Sequence, residues 1–255
     1  MLIHGLIQMD SVYAKFRYSG YRGLMYVKSA YGFASSTLRR EKTILYDLKD
    51  CPEIVQCVGD GFSADTGLVY YLLLEHANGG TLAEVLRYSV DRFQEPNASK
   101  YTCVLLRGLC RMHEKGYVHC SLKPGHVLVF VSRNKDGTYE EFVKIGGFGS
   151  AKIASSDNSD YRLRELKSLL RIARDDAATD IWSLGCVVAE MLVGRSLWRK
   201  NLRKDMNLMT LPKYLSEDAK DFLKRCLTMN KNERWTSKRL LQHPFITQYD
   251  EVKLD

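Results

Sequence analysis

Apolar positions recur first in short alternating or continuous runs, and later at helical spacing. Leu2-Ile3, Val12-Tyr13 and Leu24-Met25-Tyr26-Val27, broken by Gly5, Gly20 and Gly23, read as β-structure. Ser35-Ser36 are placed to cap a helix running from about Thr37 to Leu48. Val69 to Glu75 is almost wholly apolar, the pattern of a buried strand. Tyr101, Val104, Leu105, Leu109 and Met112 then form a core-facing helical stripe that stops at Gly116. Val127-Leu128-Val129 and Phe142-Val143-Lys144-Ile145 flank the turn residues Asn134-Lys135-Asp136-Gly137, which predicts a hairpin. Asp180 to Val193 reads as a buried helix, and the acidic residues after Leu215-Ser216 mark a further helix start.

Charge and composition narrow the class. The chain has 255 residues, enough for a two-lobed domain with a sizeable core. Hydrophobic residues make up 45% and charged residues 27%, as in ordinary globular proteins. No apolar run approaches the roughly 20 residues that span a bilayer. Met1-Leu2-Ile3-His4 lacks the basic start of a secretory leader. The net charge of +8 is scattered, and its densest run, Arg195 to Lys204, contains only Trp198 as an aromatic, so no nucleic-acid partner is expected. Seven cysteines without metal-ligand spacing indicate reduced thiols and a cytoplasmic or nuclear location.

The chemistry concentrates between Val118 and Lys152. There VHCSLKPGHVLVF and VKIGGFGSAK flank the hairpin. These segments resemble the catalytic and metal-binding loops of protein kinases, H-R-D-L-K-x-x-N and D-F-G. The variants V-H-C-x-L-K and G-F-G-S-A-K look most like plant MAP kinase kinase kinases. The resemblance implies an α+β, bilobal fold, with a mainly β lobe over 1–76 and a mainly helical lobe over 77–255. It extends along nearly the whole chain, through Asp180-Ile181-Trp182-Ser183-Leu184-Gly185, Arg234-Trp235-Thr236 and His243-Pro244-Phe245.

Laid on that pattern, His119, Lys123, Phe148 and Gly149 match, whereas the reactive positions depart from it. Ser121 stands for the catalytic aspartate, His126 for the metal-binding asparagine and Gly147 for the metal-binding aspartate. Lys28 resembles the phosphate-binding lysine, with Glu41 as its expected mate and Leu45 behind the cleft. Gly5 and Val12 would belong to the phosphate loop, whose remaining glycines are replaced by Ile7 and Asp10; an ordinary hairpin fits that segment better. Leu74, Glu75, Ala77 and Leu128 would line the cleft.

Strand alternation aims Tyr26 the same way as Lys28, where the family carries alanine over adenine. The phenol is expected to fill the adenine site, with Glu75 or a hinge carbonyl as its hydrogen-bond partner, or else to swing out to solvent. Past Gly149, Asp160 to Ser168 occupies the slot of the docking motif. Tyr161 stands for a threonine, and Ser168 for the usual glutamate partner of Arg234, leaving Glu165, Asp175 or Asp176 as substitutes. Ser150, Ser155, Ser156 and Ser159 read as a polar loop rather than as phosphorylation sites.

A serine hydroxyl is no carboxylate base near neutral pH, and magnesium prefers hard oxygen ligands. His119, Cys120 and His126 offer three soft ligands without a fourth, so no metal is expected. ATP and magnesium enter only if activity survives. Three functions follow: an inactive kinase-like module that binds other proteins, including kinases of a phosphorylation cascade; a weakly active Ser/Thr kinase; or a diverged copy without maintained function.

Overall fold

The computed structural model describes residues 12–18, 21–63, 69–89, 92–153, 177–194 and 211–249. β-branched and aromatic residues open the chain as an antiparallel sheet. Its strands are β1 (Val12–Tyr18), β2 (Tyr21–Tyr31), β3 (Cys57–Phe62) and β4 (Val69–Glu75), in the order β1-β2-β4-β3. Register pairs Tyr26 with Leu74 and Lys28 with Leu72, which brings the end of β4 beside the middle of β2. The pleat divides β2 between two environments. Met25 and Val27 are buried with Val69, Tyr71 and Leu73 on one face, while Tyr26 packs against the main core on the other.

Helix α1 (Ser35–Asp47) lies against β2 and β4 through Leu38, Glu41, Ile44 and Leu45, spaced three and four apart on one helical face. It begins earlier than the serines predict. Ala34 is its N-cap, and a 3₁₀ turn over Gly32–Ala34 runs directly into it, so both serines lie inside the helix and neither caps it. Val69 to Glu75 is the buried strand its composition predicts.

Helices dominate the rest of the chain: α2 (Leu82–Tyr88), α3 (Glu95–Glu114), α4 (Ala177–Val193), α5 (Glu217–Leu227) and the short α6 (Ser237–Leu240) and α7 (Pro244–Thr247). Thr81 and Glu84 open α2 with a reciprocal capping box at its N-terminus. Gly116, at φ 76°, sits just past the end of α3, where a left-handed residue terminates a helix. Helix α4 is buried along most of its length, and Ser216 caps α5 by accepting from the Ala219 N–H.

Between α3 and α4, strands β5 (Tyr117–Val118) and β8 (Lys152–Ile153) pair, as do β6 (Val127–Arg133) and β7 (Tyr139–Ile145). The β6–β7 turn lies at Asn134 to Thr138. The other edge of β6 binds the segment after β4. Gly79 donates to the Val129 carbonyl, Val129 donates to the Gly80 carbonyl, both at 2.9 Å, and the Asn78 amide bonds both backbone groups of Val131. The architecture is α+β, with a β-rich first part over a helical second part, and a cleft lies where they meet.

Candidate functional site

The cleft has a volume of about 440 Å³. Strand β2 contributes Tyr26 and Lys28, because alternate side chains of a strand share a face. Leu74 and Glu75 end β4, and Ala77 follows them along the back wall. Leu128, His126 and Gly147 form the floor. Val55, Gly80, Thr81 and Glu84 also line the cleft. Pattern reading had no reason to place these four there, although the Thr81/Glu84 spacing is that of a capping box. Gly5 lies outside the described residues, and Val12 is described only as the first residue of β1. Tyr26 forms part of a wall and leaves the space open, so the expectation that its ring fills the site is corrected. It is half-buried against the core, not turned out to solvent.

Two ion pairs cross this region. Lys28 meets Glu41 of α1 at 2.6 Å, and Glu41 is buried. Glu75 accepts from Lys144 of β7 at 2.7 and 2.8 Å and from the Gln56 N–H at 2.7 Å. The Glu75 carboxylate therefore ties the end of β4 to the β6–β7 hairpin, a role its cleft position alone does not reveal.

Ser121, His126 and Gly147 meet at the base. His126 donates its Nδ1–H to the Ser121 carbonyl at 2.8 Å, and Ser121 Oγ donates to the Gly147 carbonyl at 3.3 Å. The Gly146 N–H donates to the His126 carbonyl at 2.8 Å. Burial, reinforced by His119 and then Lys123, pushes the His126 pKa down to about 4, so the ring is neutral near pH 7. Gly147 has φ 77° and ψ 40°. A Cβ placed on it would come within 2.6 Å of three His126 ring atoms, Cγ, Nδ1 and Cδ2. The imidazole occupies the volume a side chain at position 147 would need.

His119 is fully buried and donates from Nε2 to the Gly146 carbonyl at 2.8 Å. Its ring stands edge-on to Phe148, with centroids 5.0 Å apart. Desolvation lowers its pKa too, against the opposing pull of Asp180. The loop is held from beneath by buried Asp180, which accepts from the N–H groups of His119 at 2.8 Å and Cys120 at 2.9 Å, and contacts His113 Nε2 at 3.0 Å. That grip accompanies the positive φ of 63° at Cys120. Lys123 is exposed and is not part of the cleft lining. Arg234 donates to the carbonyls of Thr228, Ala178 and Met229 and lies over Trp182; the docking-motif residues 160–168 and the proposed substitutes Glu165, Asp175 and Asp176 fall outside the described residues.

The donor set does not fit magnesium. At the base stand a hydroxyl, a neutral imidazole and backbone carbonyls, while the hard cation prefers carboxylate oxygens and water. Among the described residues no group of three His, Cys, Asp or Glu side chains could hold a metal ion.

A bilobal α+β architecture, with a cleft crossed by a lysine–glutamate pair and floored by a buried histidine loop, is the arrangement of protein kinases. A sequence model of the protein kinase domain matches residues 26–246, and the chain belongs to that family. It is 32% identical to mitogen-activated protein kinase kinase kinase 20 of Arabidopsis thaliana, over 95% of this chain and 75% of the relative. Identity to kinase kinase kinase 17 of the same plant is 32%, over 90% of this chain and 64% of the relative. A fungal relative, the serine/threonine-protein kinase BCK1/SLK1/SSP31 of Saccharomyces cerevisiae, is 31% identical over 82% of this chain but 14% of its own length. Among the described residues no helix is long and apolar enough to cross a membrane.

Proposed function

We propose that this protein is a kinase-fold binding module, regulatory or scaffolding, that acts in phosphorylation signalling without transferring phosphate. Its partners are other proteins, kinases of a cascade among them, met in the cytoplasm or nucleus. The observation that carries this reading is the His126 ring lying where a side chain at position 147 would stand. Phosphoryl transfer in this fold rests on positioning and on metal neutralisation of charge. Here the family's metal-binding aspartate is a glycine, the room for its carboxylate is filled, and the hydroxyl of Ser121 replaces the general base. Loss of a general base alone costs about 10²–10⁴-fold in rate.

The test is a phosphotransfer assay on a preparation free of other kinases, with Mg²⁺ or Mn²⁺. Wild type and Ser121→Asp give no turnover above background, because restoring the base leaves position 147 without a carboxylate. Robust transfer by the wild type overturns the reading.

One observation favours a second reading, a weakly active Ser/Thr kinase of the MAP kinase kinase kinase type. The Lys28–Glu41 pair, which in the family positions phosphates, is formed at 2.6 Å. The same pair also fastens α1 to the sheet, so its presence is compatible with either function.

A further inference from the structure

Positive charge gathers where α5 meets α6. Residues 211–249 contain eight Lys and Arg against four Asp and Glu. We propose that the surface around Trp235, at that junction, docks an extended segment of a partner protein with Asp or Glu at alternate positions. The inference deepens the protein-binding reading and rests on it only in taking the partner to be a protein.

Trp235 fixes the site. Its N–H donates to the Arg225 carbonyl at 3.4 Å, and its ring stands edge-on to buried His243, with centroids 5.8 Å apart. Two guanidinium groups lie against the indole, the Arg239 carbon 3.7 Å and the Arg225 carbon 4.9 Å from its centroid. The two carbons are therefore at most about 9 Å apart, a span that acidic side chains at alternate positions of an extended strand, roughly 7 Å apart, can bridge. Asp221 takes Nε and Nη2 of Arg225 at 3.3 and 3.2 Å, which matches that charge and leaves Nη1 to hydrogen-bond. Arg239 differs. Among the described residues no carboxylate lies within ion-pair distance of it, nor of exposed Lys238 and Lys224. The Thr236 hydroxyl accepts from the Arg239 N–H at 3.2 Å and fixes the backbone from which the side chain projects. Stacking on the indole holds the guanidinium fork in place, so a carboxylate that binds it immobilises little further side chain.

The same features separate a peptide from other polyanions. Arg239 covers the indole at stacking distance and takes ring surface that a nucleic-acid base would need. Among the described residues, Met229 is the only large apolar side chain exposed between Glu217 and Tyr249, too little to insert into a bilayer.

A fluorescein-labelled peptide of alternating Glu and Ser is the probe, read by anisotropy on the whole chain, with an alternating Gln and Ser peptide as its neutral counterpart. The Glu peptide is expected to bind, more weakly as salt rises. Arg239→Gln should weaken binding about 5–10-fold, and Arg239→Lys, which keeps the charge but loses the fork and the stack, about 3-fold. Lys213→Gln removes the same charge from an exposed position beyond the other end of α5 and should cost less than about twofold. Equal binding of the two peptides, or equal losses from Lys213→Gln and Arg239→Gln, would overturn the proposal. So would oligothymidylate or phosphatidylserine vesicles binding more tightly than the Glu peptide and losing that binding with Arg239→Gln. Peptide binding with the expected losses, alongside robust phosphotransfer, would sink the proposed function and leave this inference standing. No peptide binding and no phosphotransfer would do the reverse.

Discussion

At Gly147 a left-handed backbone, φ 77°, lies directly under the His126 ring, so position 147 cannot take a side chain while the ring stays in place. Gly147→Asp asks a Cβ to share space with three ring atoms and adds a strained backbone, so it should destabilise the fold by about 1–3 kcal/mol in chemical denaturation. Adding His126→Asn to that variant removes the ring and should recover much of the loss. Equal destabilisation in the presence and absence of His126 would show that the ring is not the obstacle. The same imidazole gives a pH signature. In the fold His126 titrates near 4, depressed by burial and by His119, Lys123 and Lys28, whereas unfolded it returns to about 6.5. Protons are therefore taken up on unfolding between those values. The stability linked to this group is fully present above pH 6.5 and is lost as pH falls toward 4. His119 shifts in the same direction. His126→Asn should flatten the fall in Tm over that window, and an unchanged slope would contradict the assignment.

Among the elements, the hairpin of β6 and β7 does more than its sequence announces. Period-two apolar runs around Asn134 to Gly137 made the two strands legible, because alternation and turn chemistry are local. The attachment of β6 to Asn78 and Gly79, and of Lys144 to Glu75, was not legible, since both join segments far apart in the chain. Lys144→Met should cost about 2–4 kcal/mol in urea denaturation, because the largely buried Glu75 carboxylate loses its cation. A Lys144→Met/Glu75→Gln double variant should recover part of that; no recovery would place the effect in packing instead. Helix α1 teaches the opposite lesson. Its two leading serines look like caps, but a preceding 3₁₀ turn carries the chain straight into the helix, so side-chain capping is not needed there.

For the whole molecule, the sheet and helices are readable from periodicity, whereas the cleft and the pairing of Lys28 with Glu41 are legible only through the resemblance to the kinase motifs. Tyr26 shows where that reasoning stops. Alternation gives the face a side chain takes, but not how far its ring reaches across an open space of about 440 Å³. The helical part depends on Asp180, buried beneath the His119 loop with backbone N–H groups as its partners. Asp180→Ala leaves those donors without an acceptor and should destabilise the protein by more than about 3 kcal/mol, with disorder reaching the cleft floor. Hydrogen exchange at His119, Cys120 and Gly146 reads that spread. Protection equal to wild type at all three would show that the loop holds itself.

The packing of His126 on Gly147 also bears on the history such a site can have. A lineage that set aspartate at position 147 with the histidine still in place would pass through a less stable protein before any metal could be gained. One that replaced the histidine first would gain room but no ligand. A carboxylate at position 147 needs both changes together, so the histidine guards the glycine against substitution, whatever use is made of the cleft in the meantime.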